Sequence, residues 1–255
     1  SKLGSLEIQN QKFLRAYYYH RLAEFYGAVP LITKVQSLDS VMVSRTPKSK
    51  VVDFVLKELE DAASSLPKTY PDAQSGRATK GAALAIKART ALYNERWSTA
   101  IDAAQRVMNL GVYSLHPNYE ELFKYNGQSS DEIILSYQYS RGTQTHMLPQ
   151  HGLTRMTGGW SVPVPTQSLV DAYYCTDGKR IDNSPLYDPD NPFENRDPRL
   201  DASIVRPGAR FGNYRFLTHP DSTQTWNYAT GEWVENADVT NPYATFTGYT
   251  WRKYM

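Results

Sequence analysis

Residues 76–111 read GRATKGAALAIKARTALYNERWSTAIDAAQRVMNLG, and they decide the fold because two helices and their turn are legible there without tertiary help. Residues 78–93 are dense in good helix formers, with Ala82, Leu84, Ala85, Ala88 and Leu92 as an apolar stripe at steps of three and four. A polar turn at 94–96 leads into a second helix over 97–109, whose apolar side carries Trp97, Ala100, Ile101, Ala104, Val107 and Met108. Gly111 is placed as its stop. Small residues recur where the helices must approach, at Ala88, Ala91, Ala100 and Ala104, with Trp97 at the turn. This is the spacing of one tetratricopeptide repeat, and also of any helical hairpin packed through alanine. A lone repeat cannot bury its own face, so neighbours are required.

Those neighbours are found upstream. Residues 8–26 read as a helix with Phe13, Leu14, Tyr17, Tyr18, Leu22 and Phe25 in helical register, ended by Gly27. After a loop over 36–45, Thr46 as N-cap and Pro47 in the first turn open a third helix. Its stripe is Val52, Val55, Leu56, Leu59, Ala62 and Leu66, and Pro67 stops it. Residues 68–75 are turn-rich, residues 119–125 read as a short helix, and the β-branched run 131–137 as a short strand or extended segment.

Beyond residue 125 the composition changes. Residues 126–255 hold ten of the 15 Gly, ten of the 15 Pro and four of the five Trp, so long regular helices cannot run there. Brief helices are expected at 166–174 and from Asp197-Pro198. The expectation is a mainly α protein: a tetratricopeptide-like scaffold over 1–125 and a loop-rich, ligand-binding half over 126–255, forming one compact unit. Long loops in a compact protein are usually functional, which directs the search for a site to the second half.

Composition narrows the partners. A net charge of +2 with no basic cluster argues against nucleic acid and against an anionic membrane as partner. Cys175 is the only cysteine, so there is no internal disulfide and no thiolate metal cluster. No run is long enough to span a bilayer. The chain opens on Ser1-Lys2-Leu3 and closes on Lys253-Tyr254-Met255, the expectation being a piece of a longer precursor.

Five segments, in order, resemble the SusD/RagB outer-membrane lipoproteins. They are Phe13-Leu14-Arg15-Ala16-Tyr17-Tyr18-Tyr19 with Tyr26-Gly27-Ala28-Val29-Pro30-Leu31-Ile32; Gly76-Arg77-Ala78-Thr79-Lys80-Gly81-Ala82-Ala83; Glu132-Ile133-Ile134; Leu169-Val170-Asp171-Ala172-Tyr173 with Asp177-Gly178; and Arg196-Asp197-Pro198-Arg199-Leu200. The resemblance implies tetratricopeptide-like helix pairs as scaffold and an irregular half carrying the site. It also implies capture of a glycan or other nutrient for a SusC-like TonB-dependent transporter, on the outer-membrane surface, through a lipidated N-terminal cysteine. Ser1 is not that cysteine, so the anchor is expected outside this chain, together with early helices that furnish part of the family's binding surface and a last helix pair.

Sugar recognition needs flat apolar rings against pyranose C–H faces, flanked by groups able to bond hydroxyls. Trp160, in Thr157-Gly158-Gly159-Trp160-Ser161, stands where glycines let a loop project a ring, with Arg155 and Gln150 nearby; the alternative is a Trp plugging the interface between the halves. Trp226 and Trp233 read as arms of a hairpin, or as rings folded under their own loop. Tyr139, Tyr187 and Tyr214 are further candidates. Arg196-Asp197-Pro198-Arg199 reads as a helix cap with arginines paired to local carboxylates, and Asp188-Pro189-Asp190-Asn191 with Glu194 as a turn cluster lacking the EF-hand pattern. His146 and His151 flank Pro149, and His20, His116 and His219 stand alone; all five read as scattered loop or surface histidines without a zinc-ligand pattern. Carboxylates such as Asp131, Glu132, Asp171 and Asp177 cannot be paired for glycosidase work from sequence, and nucleophile-elbow and phosphate-loop motifs are missing. No cofactor or metal is expected. The reading is a glycan-binding protein without catalysis; the alternatives are a surface glycoside hydrolase, a peptide or glycopeptide binder, and a protein-interaction scaffold.

Overall fold

The computed structural model describes residues 2–71, 74, 76–140 and 142–255. The turn-rich stretch 68–75 falls partly on residues 72, 73 and 75, which lie outside the described residues. The chain divides into two units, Ser1–Leu115 with Asp131–Gln138, and His116–Ser130 with Tyr139–Met255. It therefore crosses between them at three points, where a single crossing near residue 125 was expected.

The first unit is four helices, α1 (Lys2–Tyr26), α2 (Lys48–Ser65), α3 (Lys80–Tyr93) and α4 (Trp97–Met108), each packed on the next. Two helix pairs result, as the tetratricopeptide-like spacing implies. The crossings are made by small buried residues: Ala16 and Ala23, Ala62 and Ala63, Ala82, Ala83 and Ala91, Ala100 and Ala103. At Gly81 a Cβ would lie 2.1 Å from the Tyr113 hydroxyl, which meets Thr79 Oγ1 at 3.1 Å; Thr79 in turn caps α3 by accepting from the Ala82 amide. Polar clamps add to this packing. Glu60 of α2 accepts both arms of Arg106 on α4 at 2.9 Å and the Lys87 ammonium on α3, and hydrogen bonding to Arg106 holds its carboxyl at about 2.

Several expected stripes are rotated. In α1 the buried positions are Phe13, Ala16, His20 and Ala23, while Leu14, Tyr18, Leu22 and Phe25 are exposed. Phe13, Ala16 and Ala23 join Val51, Val55 and Leu59 of α2 and Leu84 of α3 in one buried cluster. In α3 Leu92 is exposed and Thr90 and Ala91 are buried. In α4 the inner line is Ala100 and Ala103, so Trp97, Ile101, Ala104 and Met108 face outward, with Ile101 at 70% exposure. Trp97 is thus exposed at the turn, which is closed by Glu95 at φ +58° and by the Arg96 amide on the Ala91 carbonyl at 2.9 Å. Thr46 is not the cap of α2: Pro47 holds that position, and Thr46 exchanges backbone hydrogen bonds with Val29.

The second unit has only short elements: α5 (Leu148–Gly152), α6 (Gln167–Asp171), α7 (Arg199–Ser203) and α8 (Ala237–Thr240). Among them lie β1 (Ile204–Val205) paired antiparallel with β6 (Thr250–Trp251), and a four-stranded antiparallel sheet of β2 (Arg210–Phe211), β3 (Tyr214–Arg215), β4 (Gln224–Asn227) and β5 (Glu232–Glu235). One apolar cluster gathers Val170, Leu200, Ile204 and Tyr249, another Val205, Phe211 and Phe216. The helix expected over 119–125 is instead two 3₁₀ turns, Glu121–Phe123 and Tyr125–Ser129. That segment is tied to the end of the chain because the Lys253 ammonium sits 3.7 Å from the Phe123 ring centre and 3.3 Å from the Tyr119 hydroxyl. The run 131–137 forms no strand; it opens in a turn at Asp131 and Glu132, bends at Ile134 and sets that side chain against the helical core.

His20 is not a surface histidine. It is buried between α1 and α3, with Nδ1 3.0 Å from the Thr90 hydroxyl, and Thr90 donates to the Ile86 carbonyl. Burial lowers its pKa below the ordinary 6.5, against the pull of Glu24. The unfolded chain then binds the extra proton first, so stability falls as pH drops from about 6.5 towards the folded value. Urea denaturation across pH 7.5 to 5 should show that loss, and His20→Gln should flatten it; the ion-paired carboxylates respond only below about pH 4.5.

Candidate functional site

The loop over residues 152–162 is built around its own backbone. The Trp160 amide donates to the Gln150 carbonyl at 2.8 Å, Val162 to His151 at 2.8 Å, Ser161 to Leu153 at 3.1 Å and Gly159 to Thr154 at 2.8 Å. Gly158 turns at φ +86°, and Gly159 is so close to Leu153 that a Cβ would lie 2.2 Å from its carbonyl oxygen. From beneath, buried Asp238 accepts the Met156 amide at 3.2 Å. Burial pushes its carboxyl pKa up, against the Met156 and Arg155 amides and the Thr154 hydroxyl that stabilise the charge. Asp238 is set by Asn236, which caps α8 and donates through its buried amide to the Leu217 and Ser222 carbonyls.

On this frame Trp160 remains 41% exposed, its ring 5.0 Å from that of His151 and inclined at 33°. A Trp face beside an imidazole, with the exposed Gln150 side chain on the same turn, offers an apolar plane and hydrogen-bonding groups together. Arg155 is engaged elsewhere: its Nε donates to the Tyr243 carbonyl at 3.0 Å and its guanidinium lies over the Tyr243 ring.

The four-stranded sheet presents a second aromatic surface. Trp226 and Trp233 are directly opposite in the β4–β5 hairpin, 5.8 Å apart and edge to face, with Trp226 half-buried and Trp233 exposed. By strand alternation Gln224 and Glu235 share their face, while Thr225 is buried on the other, donating to the Arg215 carbonyl. Tyr214 is half-buried on β3, opposite Phe211.

The remaining candidates are placed separately. Tyr187 packs against the Arg196 guanidinium, and the Tyr139 and His146 rings meet edge to face with their centres 4.7 Å apart. Arg196 is buried and binds three carbonyls, those of Pro192, Val170 and Tyr173, in place of the carboxylate expected for it. Asp197 does receive Arg199, and the Asp188 carboxylate closes its own turn on Asp190 and Asn191. Sequence reading set His151 among the scattered histidines and passed over Asn236 and Asp238, since nothing in spacing ties residue 238 to residue 156.

The sequence profile described as the SusD family matches residues 120–255, and one described as starch-binding associating with the outer membrane matches residues 10–92. The chain belongs to the SusD family. That membership places it at the outer membrane. A SusD-like carbohydrate-binding protein from Bacteroides fragilis has the same fold, with a TM-score of 0.83 at 33% identity over 100% of this chain and 49% of its own. A second SusD-like protein of that organism superposes at 0.75 with 27% identity over 99% of this chain and 51% of its own. Among curated proteins, SusD-like protein P25 of Formosa agariphila is 28% identical over 131 residues, 51% of this chain and 25% of that protein. The chain thus spans about half the length of these solved relatives.

The loop frame yields a direct expectation. Gly159→Ala should cost about 1–3 kcal/mol in urea denaturation and raise amide exchange over 150–162, because the Leu153 carbonyl cannot rotate aside. Gly158→Ala meets no neighbour and should cost about 1–2 kcal/mol, from left-handed backbone strain alone.

Proposed function

We propose that this chain is the glycan-capturing part of a surface SusD-family protein that holds an oligo- or polysaccharide without transforming it and passes it to a SusC-like TonB-dependent transporter. The observation that carries the reading is Trp160, an exposed ring on a loop whose backbone is hydrogen-bonded almost residue by residue. A ring held this way is ordered before the ligand arrives, so little conformational entropy is lost on stacking. Family membership and the carbohydrate binding named for the Bacteroides fragilis relative support a sugar as ligand. His151 and Gln150 are proposed as hydrogen-bonding neighbours of the stacked sugar. The Trp226–Trp233 face is a second contact for a longer chain, whereas Arg155, Tyr187 and Tyr139 serve chiefly to hold their own loops.

Migration through native gels containing a panel of polysaccharides, with assay of reducing ends in the same mixtures, tests this. Retardation by one glycan class without release of reducing ends is expected. Trp160→Ala should weaken the retardation about tenfold, roughly 1.4 kcal/mol, with an unchanged melting temperature. Release of reducing ends would replace binding with hydrolysis, and retardation indifferent to Trp160→Ala would remove the site.

A further inference from the structure

The outer face of the four-stranded sheet carries charge as well as rings. Pairing sets Arg210 opposite Arg215 across β2–β3, Tyr214 opposite Asn227 across β3–β4, and Trp226 opposite Trp233 across β4–β5. The β3–β4 register, continued by one residue, brings Arg215 beside Trp226. Arg210, Arg215, Trp226 and Trp233 therefore form one row across the strands, with neighbouring backbones about 5 Å apart. Alternation turns Phe211 and Thr225 to the buried side, which leaves the row on the outer one. Arg210, Arg215 and Trp233 are exposed, and Trp226 is half-buried. The Arg210 guanidinium lies 4.7 Å from the centre of the Tyr228 ring, and its Nε donates to the Gly212 carbonyl at 3.2 Å.

The two arginines of the row differ from the others of this unit. Arg180, Arg199 and Arg206 are matched by Asp182, Asp197 and Asp201, while Arg155, Arg196 and Arg252 donate to backbone carbonyls. Among the described residues neither Arg210 nor Arg215 is ion-paired. The carboxylate that alternation puts on their face, Glu235, accepts the Thr240 hydroxyl at 3.0 Å. Like charges directly opposite in an antiparallel pair repel, so the free sheet holds two facing cations without a counter-charge.

We propose that this face selects an acidic glycan, its uronate carboxylate received by Arg215, with Arg210 beside it, while the pyranose rings stack on Trp226 and Trp233. The inference rests on the reading of the Trp226–Trp233 face as a glycan contact and adds the class of sugar. A uronate carries its carboxylate at the rim of the ring. Stacked on Trp226, such a ring directs that group sideways along the sheet, where the register places a guanidinium. The planar fork of an arginine matches the two carboxylate oxygens, and the bound acid relieves the repulsion between residues 210 and 215. No basic run in the sequence announces this pair, because the register of the hairpin makes it.

Titration of the chain with oligosaccharides of polygalacturonate, alginate and glucuronoxylan, each beside its carboxyl methyl ester, tests the proposal, with dextran and dextran sulfate as neutral and sulfated polymers. Binding is expected to one uronate series. Esterification and Arg215→Gln should each weaken it about tenfold or more, and salt should weaken it because the ion pair is exposed. Trp233→Ala should weaken acid and ester alike. Arg215→Gln removes one of two facing cations, so its melting temperature should hold or rise. Retardation by a neutral glycan without binding of any uronate, or equal binding of acid and ester, overturns the acidic preference and leaves the glycan reading standing. Binding of dextran sulfate as tight as that of the uronate, or uronate binding indifferent to Trp233→Ala, marks a general response to polyanions and overturns it as well. Binding of no polysaccharide at all removes both readings.

Discussion

The packing of α1, α2 and α3 through one buried cluster, in which alanines stand among Phe13, Val51, Val55, Leu59 and Leu84, is the constraint on which the first unit depends. Ala16 and Ala23 on α1, Ala62 and Ala63 on α2, Ala82, Ala83 and Ala91 on α3, and Ala100 and Ala103 on α4 are all buried. Tyr113 can lie over α3 only because residue 81 has no side chain. Glu60 reaches partners on both α3 and α4, and His20 is enclosed against Thr90.

The second unit works by a different economy. Its elements are too short to build one large core, and two small apolar clusters are supplemented by buried polar groups that bind backbone directly. Arg196 gathers three carbonyls from two segments, and Asn236 with Asp238 joins α8 to the Trp160 loop. Hydrogen bonds of this kind stay strong because water is excluded, and they specify one loop geometry where side-chain packing alone would allow several. A rigid irregular surface is what a binding face for an extended, hydroxyl-rich ligand needs.

Much of this was legible in the chain. The hairpin of α3 and α4, the stop at Pro67 and the Trp226–Trp233 hairpin follow from local rules, because prolines and alternation act within a few residues. The rotation of the stripes was not legible. Helical spacing tells which residues share a face, but Leu14, Tyr18, Trp97 and Ile101 are as regularly spaced as Ala16, Ala23, Ala100 and Ala103, and hydrophobicity alone favours the wrong set. Only the position of the partner helices decides which side is inside.

By itself, then, the sequence determined that helices occupy the first half, that glycine and proline break up the second, and that Trp160 stands on a glycine turn. Each of these is set by the conformational preferences of neighbouring residues. Tertiary structure decided that His151 lies beside Trp160, that Arg155 turns to Tyr243, and that Asp238 holds the loop from 82 positions away. Such contacts depend on where distant backbone groups come to rest once water is excluded, and no spacing along the chain encodes that distance.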